Sequence, residues 1–213
     1  TFPIYFSKRL EQKYLNTWHG TPLKTLGRQI KQDLFISTSN VIRNFMHSKI
    51  LLVPNKHTEH VLNRDYMLDS VWQGVIMKSG YPRNDILFDS INKPNTSENI
   101  TIAFMPTWRG TSSSHDKASI LLVEQLQQLL SYLDTHLESN ITIHIRLHSM
   151  VNSAIDLNQY KNIKPFPNTD NTYDFLAKCD ALVTDYSSVL FDFAVTGRPI
   201  FLYTPDQNNY NDE

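Results

Sequence analysis

Apolar positions along this chain fall into two kinds of run, and in the second half the two kinds alternate. Ile100-Thr101-Ile102-Ala103-Phe104-Met105 is a short β-favouring run ended by Pro106, and Ile141 to Leu147 is another. Between them, residues 117–136 carry Ile120, Leu121, Val123, Leu126, Leu129, Leu130 and Leu133, the spacing of an amphipathic helix. A short helix is predicted over 172–178 and a third strand over Ala181–Thr184. Ser187–Thr196 predicts a helix closed by Gly197, a residue suited to the left-handed position after a helix. Pro199 then introduces a strand over Ile200–Tyr203. Strand–helix–strand alternation of this kind predicts a parallel, doubly wound sheet.

The first half carries a weaker pattern. Tyr14–Trp18 reads as a strand leading into His19-Gly20-Thr21-Pro22. Leu34–Ser37 reads as another, with Ser39-Asn40 capping the next helix. Ile76–Ser79 predicts a third, running into Gly80-Tyr81-Pro82-Arg83. The polar stretch from Asp89 to Asn99 is rich in Asn, Ser and Pro, as linkers are, and separates the halves. The expected architecture is α/β, two halves with a cleft between them, without internal repeats or low-complexity tracts.

Composition narrows the function classes. The 213 residues are 40% hydrophobic and 19% charged, as in an ordinary soluble globular protein. A net charge of −1 supplies no global field toward nucleic acid or an acidic bilayer, so local groups must hold any anionic ligand. Aromatic residues are dispersed, with no ladder for stacking bases. Cys179 is the single cysteine, which excludes an internal disulfide, argues against a thiolate metal site, and reads as a small buried apolar residue. There is no apolar run of bilayer length and no signal-peptide pattern at the start. The opening Thr1-Phe2-Pro3 and the polar close at Asp206–Glu213 lead us to expect a fragment of a longer protein.

Ligands of open α/β sheets bind beyond the carboxyl ends of the strands. In the second half, that edge is predicted to bring together Pro106-Thr107-Trp108-Arg109, Arg146-Leu147-His148 and Thr184-Asp185-Tyr186-Ser187-Ser188. Ser187 and Ser188 stand where a helix begins, which suits either simple capping or an anion site. Asp185 beside them suits a ribose or a cation. Arg109 suits a bidentate phosphate clamp or a loop ion pair. His144 reads as a hydrogen-bonded side chain between layers, whereas His148, one step past its strand, is better placed to reach a ligand. In the first half, His19 is bracketed by Trp18 and by Gly20-Thr21-Pro22, and an imidazole on such a loop can take a proton from a hydroxyl. Lys8, Arg9, Lys13, Lys24, Arg28 and Lys31 make this stretch basic, as a solvated face or as a surface for an anionic acceptor or membrane.

Taken in order, five segments resemble the CDP-glycerol glycerophosphotransferase family of teichoic acid and capsule polymer synthesis. They are Trp18-His19-Gly20-Thr21-Pro22-Leu23-Lys24 with Leu26-Gly27, Gly80 to Asp85, Met105 to Arg109, Arg146 to His148, and Thr184 to Ser188 with Phe191-Asp192-Phe193. The resemblance runs from about Trp18 to Tyr210. It implies a GT-B-like fold of two Rossmann-type domains facing across a cleft, truncated here at both ends. Residues 1–90 would be the rest of an acceptor-side domain and 98–213 an incomplete CDP-donor-binding domain.

By the same resemblance, His19 is the general base and His148 binds or polarises the donor phosphates. The proline usual after that histidine is Ser149 here. Pro106, Thr107, Arg109, Thr184, Asp185, Ser187 and Ser188 are implied to line the donor site. The donor is expected to be CDP-glycerol or CDP-ribitol and the acceptor a lipid-linked or polymeric polyol phosphate. Neither a cofactor nor an essential protein-bound metal is expected, because no carboxylate cluster shows metal-ligand spacing. Nucleic acid is not an expected partner. The expected location is the cytoplasm, at the inner face of the cell membrane, with membrane association through regions outside this chain. A GT-B glycosyltransferase using a nucleotide sugar is the competing activity. A module that binds nucleotide or anionic polymer without catalysis, and a purely structural domain, are the non-enzymatic alternatives.

Overall fold

Short parallel strands with helices between them build both halves of the chain. The structure is a computed structural model and describes residues 5–30, 35–91, 93, 97–107, 117–147, 154–168 and 171–205. The chain divides into two units, Thr1–Asn84 and Asp85–Glu213.

In the first unit, β1 (Leu15–Asn16), β2 (Ile50–Val53) and β3 (Val75–Lys78) form a parallel sheet in the order β1-β2-β3. The helices α1 (Phe35–His47), α2 (Lys56–Tyr66) and α3 (Leu68–Val71) lie between them in sequence. Central β2 is an unbroken apolar run, as a strand covered on both faces should be. Leu51 and Val53 are fully buried with Phe45 and Leu62, and Trp18, Val41, Ile42 and Ile76 pack against that core. Helix α2 begins at Asn55, whose side chain accepts the Thr58 N–H at 2.8 Å, and ends at Met67 in the left-handed region, φ 54°.

The strand expected over Leu34–Ser37 does not form. Leu34 lies outside the described residues, and Phe35–Ser37 open α1, so Ser39 and Asn40 sit inside the helix and not at its cap position. The β-favouring Phe35-Ile36 pair is overridden by residues further along the helix. Val41, Ile42 and Phe45 repeat at helical spacing and meet the core, and this tertiary packing outweighs local preference.

The second unit opens with α4 (Asp85–Ile91) and continues through β4 (Ile100–Met105), α5 (Lys117–His136), β5 (Ile141–Ile145), β6 (Ile163–Pro165), α6 (Thr172–Leu176), β7 (Ala181–Thr184), α7 (Val189–Phe193) and β8 (Ile200–Leu202). A 3-10 turn, Ala194–Thr196, carries α7 to Gly197, whose φ of 69° confirms its left-handed role. The sheet order is β6-β5-β4-β7-β8, with every pair parallel. The chain therefore steps outward from β4 to β6, then returns to the other side of β4 for β7 and β8. Pro165 is tolerated because β6 is an edge strand.

Adjacent residues on one strand feed opposite cores. Ala103 packs with Leu87, Leu176, Leu182 and Phe193, whereas Phe104 packs with Leu130, Ile143, Ile145 and Ile163. All of these are buried. Two covered faces are the signature of a doubly wound sheet, and each of the Leu, Ile and Phe side chains contributes roughly 1.5–3 kcal/mol on burial.

Helix α4 belongs to this second unit. Leu87 is fully buried in its core, and the Arg198 guanidinium donates to the carbonyls of Ala177 (2.8 Å), Cys179 (2.8 Å) and Ser90 (3.2 Å). The division accordingly falls at Asn84/Asp85, ahead of the polar Asp89–Asn99 stretch, whose first three residues are the end of α4.

Candidate active site

Strand order in the second sheet reverses between β4 and β7, and ligands of open α/β sheets bind outside the carboxyl ends at such a reversal. The register sets Met105 opposite Thr184, so the two chains leave the sheet level with one another. Thr184 Oγ1 donates to the Met105 carbonyl at 2.8 Å. One residue further, the Asp185 carboxylate accepts the Thr107 N–H at 2.7 Å and the Thr107 hydroxyl at 2.6 Å. Thr184 is fully buried and Asp185 is 2% exposed. Both, expected to line the donor site, have side chains bonded within the protein.

Ser187 and Ser188 are half-buried and stand just ahead of α7. Simple capping does not account for them. Ser188, at the cap position, makes no side-chain cap bond, and the Ser187 hydroxyl accepts the Val189 N–H only at 3.5 Å. Asp192, from the Phe191-Asp192-Phe193 segment, is buried and accepts the Tyr173 hydroxyl at 2.7 Å, tying α7 to α6.

A cavity of 250 Å³ lies at the carboxyl ends of β5 and β6, lined by Arg146, Leu147, Phe166, Asn168 and Thr172. The Arg146 guanidinium donates to the Thr172 hydroxyl and lies 5.5 Å from the centroid of the Phe166 ring. His144 bonds the Pro165 carbonyl at 3.2 Å, the structural role expected of it. Arg109 and His148 lie outside the described residues.

His19 occupies a tight turn in the first unit. The Asn16 side chain accepts the Trp18 N–H at 2.9 Å, and the chain swings through a left-handed Trp18, φ 53°. A bulky residue there costs roughly 1–2 kcal/mol, so its surroundings must hold it. They do: the indole lies 5.4 Å from the ring of Phe45 and 6.0 Å from that of Tyr66. The His19 ring leans on the other part of this cluster, its centroid 4.2 Å from the indole.

His19 remains exposed at the surface, and beside it opens a cavity of 280 Å³ with Tyr14, Asn16 and Asn44 in its wall. Partial burial lowers the His19 pKa below its ordinary 6.5, and the Arg83 guanidinium pushes the same way. The imidazole is thus neutral at neutral pH, the form that accepts a proton. Thr21 and Pro22 are buried behind it, and His57 Nε2 donates to the Pro22 carbonyl at 3.2 Å. Asn16, two residues before Trp18, has the spacing of a side-chain turn and was readable from sequence. His57 gave no such signal.

The family model for CDP-glycerol:poly(glycerophosphate) glycerophosphotransferase matches residues 1–213. The chain belongs to that family. It is 30% identical over 98% of its length to a teichoic acid poly(glycerol phosphate) polymerase of Staphylococcus epidermidis, covering 31% of that protein. To a teichoic acid glycerol-phosphate transferase of Staphylococcus aureus it is 32% identical over 99% of its length, covering 57% of that protein. Among solved structures, the wall teichoic acid polymerase TagF superposes with a TM-score of 0.77 at 28% identity, over 99% of this chain and 54% of that one. The TagF structures include one soaked with CDPG. The chain therefore spans about a third to somewhat over half the length of these relatives. The likeness extends the GT-B-like expectation: both units are built from parallel strands, as Rossmann-type domains are.

Among the described residues, no helix is long and apolar enough to cross a membrane.

Proposed function

We propose that the chain is the catalytic portion of a transferase that moves glycerol phosphate, or a similar polyol phosphate, from its CDP carrier to a hydroxyl of a lipid-linked or polymeric acceptor. The observation that carries this reading is His19: a surface imidazole, biased to its neutral form and braced on a strained Trp18 beside an open cavity. Strain of this kind concentrates where a side chain must be aimed.

In this mechanism, the acceptor hydroxyl gives its proton to His19 as its oxygen attacks the β-phosphorus. The bond from that phosphorus to the bridging oxygen breaks, and CMP leaves with the electron pair. Phosphoryl transfer of this type needs positioning and charge stabilisation more than covalent chemistry. We assign those tasks to the carboxyl edge of the second sheet, with Pro106, Ser187 and Ser188 at the switch point and Thr107 fixing the loop. The roles of Arg109 and His148, binding the diphosphate, rest on the family resemblance. The Arg146–Phe166–Thr172 cavity, polar at its rim and aromatic on one wall, suits the nucleoside end of the donor.

A lipid-linked acceptor would set the reaction at the cytoplasmic face of the cell membrane, with attachment through other parts of the protein. Thermal unfolding of the chain with CDP, CDP-glycerol, UDP-glucose and ADP tests the donor. A ligand at one hundred times its Kd adds about 2.7 kcal/mol, a readily measured melting shift. Stabilisation by the cytidine compounds alone is expected. Stabilisation by the uridine sugar alone would move the assignment to a glycosyltransferase.

A further inference from the structure

Across the switch point, the two loops implicated in donor binding are tied together by one side-chain pair. Thr107 stands two residues before Arg109, and Asp185 two before Ser187. The Asp185 carboxylate receives both the backbone N–H and the hydroxyl of Thr107, at 2.7 and 2.6 Å, and is 2% exposed. Just beneath, Thr184 Oγ1 holds the Met105 carbonyl, and the Tyr203 N–H holds the Thr184 carbonyl at 2.8 Å. The exits of β4, β7 and β8 are thereby bonded in a row.

A carboxylate at the rim would repel an incoming diphosphate. This one is withdrawn from the rim, covered by Thr107, and its oxygens each take a donor from the neighbouring loop. We propose that Asp185 is a positioning residue that acts on the donor through Thr107, clasping the loop after β4 to the loop after β7, and that it does not itself touch the nucleotide. The inference rests on the donor reading above. Its chemical content is distinct: removing either half of the clasp lets both loops drift, and misplacement by about an ångström is enough to weaken binding or rate by an order of magnitude or more.

The test is a mutant cycle on the chain, with CDP affinity measured by calorimetry. Thr107→Val and Asp185→Asn are each expected to weaken CDP about tenfold, and the double variant little further than the weaker single, because the proposed effect runs through their shared contact. Thr107→Ser, which keeps the hydroxyl, is expected to recover most of the affinity lost in Thr107→Val. A purely structural role would instead lower the melting temperature while the folded chain kept its affinity, and that result overturns the proposal. So does an additive loss of about a hundredfold in the double variant, which would mean that Asp185 contacts the nucleotide on its own. If the unaltered chain fails to bind CDP, the donor reading fails separately. The same cycle run on urea unfolding without ligand then decides the clasp, and an absence of coupling between Thr107 and Asp185 sinks it.

Discussion

The imidazole of His19 rests against the indole of Trp18, ring centroids 4.2 Å apart, and Trp18 is one of two non-glycine residues with positive φ among those described. The proposed general base is carried on a residue that is itself held under strain. Asn16 takes its backbone N–H and Phe45 and Tyr66 take its ring.

If His19 is the base, His19→Ala in the full-length enzyme lowers turnover by ~10²–10⁴-fold while CDP affinity stays near normal. Steady-state transfer assays beside calorimetry separate the two effects. Near-normal transfer by this variant would remove His19 from the mechanism.

The direction of the His19 shift sets the pH profile. A base must be neutral, so activity falls on the acid side as pH drops through a pKa lying below 6.5. Arg83→Gln removes one charge that opposes protonation and should move this acid limb to higher pH. Folding responds with the same sign. The folded chain holds the His19 proton less readily than the unfolded one, so this contribution to stability is present above 6.5 and is lost as pH falls through the depressed value. Titration of the imidazole by NMR in both forms of the chain checks the order of the two pKa values.

Strain at Trp18 predicts an inversion of the usual substitution order. Trp18→Ala and Trp18→Gly both remove the indole from Phe45 and Tyr66. Glycine alone accepts φ 53° without penalty, so Trp18→Gly should be the more stable of the two by about 1 kcal/mol. Urea titration measures the difference; a less stable glycine variant would mean that the left-handed turn is not what the residue is held in.

Two left-handed glycines should respond very differently to alanine. At Gly27, φ +51°, an added Cβ would stand 2.4 Å from the Asp65 carbonyl oxygen, so backbone must move. Gly197, φ +69°, has nothing within 4 Å of that position. Gly197→Ala should therefore cost about 1 kcal/mol, and Gly27→Ala distinctly more, read as the shift in the unfolding midpoint.

Legibility differed between the units for a physical reason. In the second, β4, β5 and β7 are short β-favouring runs between polar breaks, and α5 repeats its apolar residues from Ile120 to Leu133, so the pattern declared these elements at nearly their observed ends, although it did not single out α4 or β6. The first unit is built on strands as short as Leu15–Asn16 and on one central run, Ile50–Val53, that pattern reading did not single out. There, Phe35 and Ile36 look like a strand locally and are helical because Phe45 and its neighbours require it. Within the site, the motif residues were readable from sequence, but their direction was not. Nothing in the order Thr184-Asp185 says that these two side chains face inward while Ser187 and Ser188 remain half-buried at the edge. That depends on a register between strands about eighty residues apart.

Helix α4 has a practical corollary for anyone wishing to produce the second unit by itself. A cut in the polar Asp89–Asn99 stretch looks harmless from sequence, but it would remove Leu87 from a sealed core and leave Arg198 without its Ser90 carbonyl. The separable piece starts at or before Asp85, and a shorter one should be recovered aggregated or not at all.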